Sequence, residues 1–256
     1  MSTLIQAHRG APSRLPENTL ESFSLAIEQK ADFIELDVHL SKDGEIVVAH
    51  DAKLERVSNG CGFINDLTLK ELKLLDFGKT APEGEAGSRV YRMPLLSEVF
   101  ALVKASALSV NIELKCIERL YPELPEKLLA LTSEYAMDDR VIYSSFNHYS
   151  LQQIKKLSAS AKTGLLYELG MVDPWVYANY VNAYAIHPHY YVIAALPETV
   201  KHCHENGVMV NVWTVDDADA IKLMLKCGVD SIITNKPDLA VACRDEFLKG
   251  ETNEGK

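Results

Sequence analysis

Two carboxylates two residues apart inside an apolar run, Glu35 and Asp37 of "FIELDVHL" (33–40), ask for a chemical reason. On a strand, residues two apart share a face, so both acids point the same way. Such a pair either holds arginine or backbone N–H groups or binds a cation, because unpaired buried charge is costly. Glu113, in "LSVNIEL" (108–114), adds a third hard oxygen donor from the next strand. Three carboxylates with water or substrate oxygens suit one divalent cation, Mg²⁺ or Ca²⁺; Zn²⁺ would call for Cys and His ligands at regular spacing. Lys115 lies two residues beyond Glu113 and projects to the same side, and Arg9 carries the planar fork that matches phosphate oxygens. A metal, an Arg and a Lys converging in a chain of net charge -10 point to a phosphate ligand. His8 and His50 flank these groups, and imidazole exchanges protons near neutral pH.

Other residues carry less. Trp213 shares a strand face with Asn211 and suits either a glycerol or alcohol portion of a ligand at the site or a place in the core. His202 and His204 of "KHCHE" are two apart on a predicted helix and do not share a face, which argues against a metal there. The "HPHYY" stretch (187–191) ends a strand and fits a lining role or a loop role equally.

Groups so far apart in sequence need a scaffold that gathers strand ends. Strand-length apolar runs fall at 4–8, 33–40, 108–114, 140–145, 162–169, 183–187, 208–215 and 230–235, with helical patterns at about 18–29, 95–105, 121–135, 147–158, 173–180, 197–206, 217–227 and 237–248. Eight β-α units in about 250 residues predict an α/β fold, a (β/α)8 TIM barrel, over a doubly wound sheet. The exception is the span from "GEIVVAHD" (44–51) to about residue 94: an extra strand pair and a partly helical segment, a small insertion after strand 2. One domain over 1–256 is expected, with the inserted segment at about 52–94. Barrel active sites lie at the C-terminal ends of the strands, and His8, Arg9, Glu35, Asp37, Glu113, Lys115 and Trp213 all fall at or near such ends.

With 36 acidic against 26 basic residues and no Lys/Arg-rich run, nucleic acid is a disfavoured partner. No apolar run approaches the roughly 18 residues of a membrane span, so stable membrane insertion is not expected. Five scattered cysteines without a CxxC fit a reducing compartment, and the expected location is cytoplasmic. A homo-oligomer is compatible with all of this.

The elements "AHRG", "PENTLESF", "IELDVHLSKDGEIVVAHD", "LTLKELKLLDFG", "MPLLSEVF", "NIELK", "SSFNHYSL", "VNVWTVDD" and "GVDSIITNKPD", in this order and spacing, resemble the glycerophosphodiester phosphodiesterases nearly end to end. The resemblance implies metal ligands at Glu35, Asp37 and Glu113, acid/base histidines at His8 and His50, and phosphate contacts from Arg9 and Lys115. It implies hydrolysis of a small-molecule glycerophosphodiester, such as glycerophosphocholine or glycerophosphoethanolamine, to glycerol 3-phosphate and an alcohol. Two positions depart from the family pattern, which has Asn after "WTV" and Asp after "IIT": here they are Asp216 and Asn235. Both are expected outside the metal and proton-transfer set, bearing on rim contacts and substrate preference. An acylated diester as substrate, and a silent barrel that only binds phosphorylated metabolites, are the competing readings.

Overall fold

The computed structural model describes residues 2–254 other than 86 and 88. Eight parallel strands close on themselves: β1 (Leu4–His8), β2 (Phe33–Leu40), β4 (Ser109–Leu114), β5 (Val141–Ser145), β6 (Lys162–Tyr167), β7 (Ala185–Pro188), β8 (Met209–Val212) and β9 (Ser231–Thr234). They follow the order β1-β9-β8-β7-β6-β5-β4-β2, and a β1–β2 pairing shuts the ring. Helices α1 (Leu20–Glu28), α3 (Leu96–Lys104), α4 (Leu124–Glu134), α5 (His148–Leu157), α6 (Pro174–Tyr180), α7 (Tyr190–Ala195), α8 (Glu198–Glu205), α9 (Ala218–Cys227) and α10 (Pro237–Glu254) run between and after them. This is the (β/α)8 barrel.

Alternation along the strands sorts the side chains. Ile34, Leu36 and Val38 of β2, Val110 and Ile112 of β4 and Val210 and Val212 of β8 join Phe23, Val99 and Phe100 of the helices in one buried cluster. The alternate residues turn inward and are polar. Below the mouth they form one hydrogen-bonded run: Asn111 Nδ2 donates to Gln6 Oε1 (2.9 Å), Gln6 Nε2 to Ser231 Oγ (2.6 Å), Ser231 Oγ to Asn211 Oδ1 (2.7 Å) and Asn211 Nδ2 to His187 Nε2 (2.9 Å). All five residues are buried, so each bond is made where an unmade one would be costly.

The excursion differs in detail from the expected strand pair. A single short strand, β3 (Ile46–Val48), folds back antiparallel on the end of β2. Beyond it, α2 (Leu69–Leu72) is opened by a Thr68/Glu71 capping box. Val47, Leu54, Ile64, Leu72, Phe77 and Met93 give this segment its own small buried cluster. Two helical features also differ. The short α7 falls within "HYYVIAA", and α10 runs to Glu254, past residue 248 where the polar composition predicts its end.

Candidate active site

Strand register brings the predicted residues together. In the β1–β2 pairing His8 stands opposite Glu35, and in the β2–β4 pairing Asp37 stands opposite Glu113. Arg9, directly after β1, has a left-handed backbone (φ 57°), which L-residues with side chains rarely adopt. Its N–H donates to Glu35 Oε2 at 2.9 Å. Gly10 follows at φ +91°, so close to α1 that a Cβ there would lie 2.5 Å from Ser22 Oγ. Only glycine completes this turn without displacing the helix.

Glu35, Asp37 and Glu113 are buried, and their oxygens lie within 4.8 Å of one another. Lys115 Nζ donates to Glu113 Oε1 at 2.9 Å, which places it on the face expected from its spacing. Asn18 Nδ2 donates to Asp37 Oδ2 at 2.9 Å. Asp37 Oδ1, in contrast, accepts no hydrogen bond among the described residues; Lys115 Nζ is its ion-pair neighbour at 3.6 Å. A buried carboxylate oxygen without a donor, beside two more carboxylates, fits a divalent cation as the group that satisfies it. The charges agree. Burial, with Asp37 and Glu113 nearby, pushes Glu35 well above the usual carboxylate range. Burial likewise pushes Glu113 up to about 7 against the pull of Lys115. Burial also opposes the charge on Asp37, yet Lys115 and Arg9 overcome it and hold that carboxyl far below its usual range. Three acids this close do not all ionise without a compensating positive charge.

Arg9 is anchored through its terminal nitrogen to Glu17 Oε1 (3.3 Å), while its Nε lies 3.4 Å from Asp37 Oδ2 without forming a hydrogen bond. The part of the guanidinium that reaches the cavity also lined by Lys115 suits a phosphate oxygen. His50, just past β3, faces Asp51 Oδ1 through Nδ1 at 2.5 Å and Lys115 Nζ through Nε2 at 3.0 Å. Carboxylate and ammonium fix its protonation pattern: Nδ1–H donates to Asp51, and Nε2 accepts from Lys115. Desolvation first, then Arg9, brings His8 down to about 4, so its ring is neutral at pH 7. Trp213 is half-buried and lines the same cavity as His8, Arg9 and Lys115. Its Nε1 donates to the His187 carbonyl at 2.7 Å, and its ring meets Phe146 edge to face at 5.4 Å between centroids.

Several members of this cluster lie outside the sequence-based set. Glu17 and Asn18 hold Arg9 and Asp37, and Thr19 caps α1. Arg56, from the excursion, bridges Asp51 (2.7 Å to Oδ2) and Glu17 (2.7 Å to Oε1), tying the excursion to the β1 turn. His187 sits in the barrel interior with no exposure, away from the rim. The largest correction concerns Asn235, expected outside the proton-transfer set: its Oδ1 is 2.7 Å from His8 Nδ1. The pairing arises because β9 ends beside β1, and it joins positions 227 residues apart.

Barrel and cluster together describe a (β/α)8 enzyme that sets an acid triad able to hold a cation beside two cationic side chains and two imidazoles. Residues 8–239 match the model of the glycerophosphoryl diester phosphodiesterase family, and the chain belongs to that family. A glycerophosphodiester phosphodiesterase of Caldanaerobacter subterraneus subsp. tengcongensis is 47% identical over 241 residues, covering 94% of this chain and 97% of that protein. One from Bacillus altitudinis is 38% identical, covering 96% and 99%. Among solved structures, a phosphodiesterase from Oleispira antarctica in complex with the product sn-glycerol-3-phosphate superposes with a TM-score of 0.81 at 26% identity, covering 95% of this chain and 97% of that one.

Proposed function

We propose that this protein is a metal-dependent hydrolase of glycerophosphodiesters such as glycerophosphocholine or glycerophosphoethanolamine, releasing glycerol 3-phosphate and an alcohol. One observation carries the reading: three buried carboxylates within 4.8 Å of one another, ringed by Arg9 and Lys115. A divalent cation, Mg²⁺ or Ca²⁺, held by Glu35, Asp37 and Glu113 supplies a Lewis acid for the phosphate oxygens. Arg9 and Lys115 bind the same phosphate and offset the charge that builds on its non-bridging oxygens. His8 and His50 move the protons, one from the nucleophile and one to the departing alcohol oxygen. The nucleophile is water or the neighbouring glycerol hydroxyl. Trp213 and Phe146 form an apolar wall for the glycerol or alcohol portion. The active unit is one barrel domain over residues 1–256 acting in the cytoplasm, a location that five unpaired cysteines favour.

His8→Ala and His50→Ala are each expected to lower turnover of glycerophosphocholine by ~10²-fold or more with the circular-dichroism spectrum unchanged. Full activity in the double variant refutes the assignment. A second reading, an acylated diester as substrate, draws support from apolar side chains on the loops after β4 and β6, at the same end as the cluster: Leu169 is 82% and Val172 89% exposed, and Ile117 and Leu120 are exposed as well. Rates on water-soluble and acylated diesters measured side by side separate the two. Faster release from the soluble diester supports the first.

A further inference from the structure

His8 meets Asn235 rather than a carboxylate, and the amide is not free to present either end. Asn235 Nδ2 donates to Asp216 Oδ2 at 2.6 Å. Asp216 Oδ1 accepts from Asn235 N–H at 2.7 Å and from Thr234 Oγ1 at 3.0 Å. Three donors therefore converge on one carboxylate, which has only acceptor sites to offer. Turning the amide over would set Asn235 Oδ1 against Asp216 Oδ2, two acceptors in contact, and would aim an N–H at the imidazole. The arrangement that satisfies every atom keeps Oδ1 towards His8, so the 2.7 Å contact is Nδ1–H donating to Oδ1.

We infer that Asp216 and Asn235 form a positioning relay that holds the His8 ring with a proton on Nδ1 and leaves Nε2 as the atom that exchanges protons with the substrate. The relay rests on the reading of His8 as a proton carrier and assigns that role to one nitrogen. No hydrogen bond to Nε2 is formed among the described residues, and the ring lines the cavity with Arg9, Glu35 and His50. When the nucleophile's O–H gives its proton to Nε2, the ring becomes an imidazolium with both nitrogens protonated. Nδ1–H stays on Asn235 Oδ1, and the amide passes the polarisation to Asp216. The other tautomer, with its proton on Nε2, lacks a lone pair there and cannot accept. Histidine orientation of this kind is set by the bond the second nitrogen makes. The two departures from the family pattern thus act as a unit, a carboxylate and an amide exchanged between the loops after β8 and β9.

The test combines ¹⁵N NMR of histidine-labelled protein at pH 7, with divalent cation present and His8→Gln for assignment, and steady-state kinetics. The wild-type His8 ring is expected to carry its proton on Nδ1. Asn235→Ala is expected to shift it towards the Nε2–H form and to lower kcat ~10- to 100-fold with KM within about threefold. The exchanged pair Asp216→Asn/Asn235→Asp keeps an acceptor on Nδ1 and is expected to restore both the tautomer and most of kcat. A wild-type ring protonated on Nε2 overturns the inference without any variant, as does wild-type kcat in folded Asn235→Ala. Full activity in His8→Ala is a separate result: it removes the proton-carrier reading itself.

Discussion

Glu35 shows most directly what the buried acids cost the protein. Its carboxyl is pushed well above the usual range by burial and by Asp37 and Glu113, and it accepts the Arg9 N–H that closes the β1 turn. Gln at this position keeps that acceptor and removes the charge conflict. Glu35→Gln is therefore expected to melt at or above the wild-type temperature in EDTA, to lose the rise in Tm that Mg²⁺ or Ca²⁺ gives the wild type, and to turn over ~10²-fold or more slowly. Differential scanning calorimetry with and without cation checks the first two, and a lower melting temperature than wild type in EDTA counts against the charge conflict. The acids were legible in the sequence because two inward positions of one strand and one of its neighbour carry charge where apolar residues belong. Asn18, Glu17 and Arg56 were not, since a polar residue at a helix opening or in a loop looks the same whether it meets solvent or a charged partner at the site.

Arg56 and Gly164 make the same point for the elements. Arg56 links the excursion after β3 to the turn after β1, through Asp51 and Glu17, and Asp51 in turn orients His50. Arg56→Ala is expected to lower kcat about 10-fold, less than His50→Ala, because Asp51 still reaches the imidazole. Kinetics of the two variants side by side decide it, and equal losses would show that Arg56 does more than support. Gly164 of β6 lies beside His187 of the neighbouring β7 in the barrel interior, where a Cβ would run into His187 Nε2. Gly164→Ala is expected to destabilise the fold by ~1–3 kcal/mol in urea unfolding, and no loss would mean that the ring yields easily. The order and type of the barrel elements were readable from apolar periodicity. The inward partners were not, because Gly164–His187 depends on the register between β6 and β7, and Asn235–His8 on how β9 settles against β1 as the ring closes.

For the molecule as a whole, the polar interior sets a dependence on pH. His187 is fully buried, accepts from Asn211 and has no partner at Nδ1 among the described residues; burial brings it down to about 3. A histidine lowered on folding is neutral in the native state while the unfolded chain takes up a proton below its ordinary value of 6.5. The unfolded state then binds more protons, so this group's contribution to stability falls as pH drops from about 6.5 towards about 3. His187→Gln retains an acceptor for Asn211 and is expected to flatten the dependence of the urea midpoint on pH between 6.5 and 4; an unchanged slope assigns the acid sensitivity elsewhere. The same closed barrel that buries His187 also carries the acids, cationic side chains and imidazoles to one end of the molecule, and the proposed reaction there calls for a divalent cation. Glycerol 3-phosphate release from glycerophosphocholine, followed in protein stripped with EDTA and then given Mg²⁺ or Ca²⁺, is predicted to vanish and return, with no return in Asp37→Asn. Full turnover in the stripped protein would contradict the account.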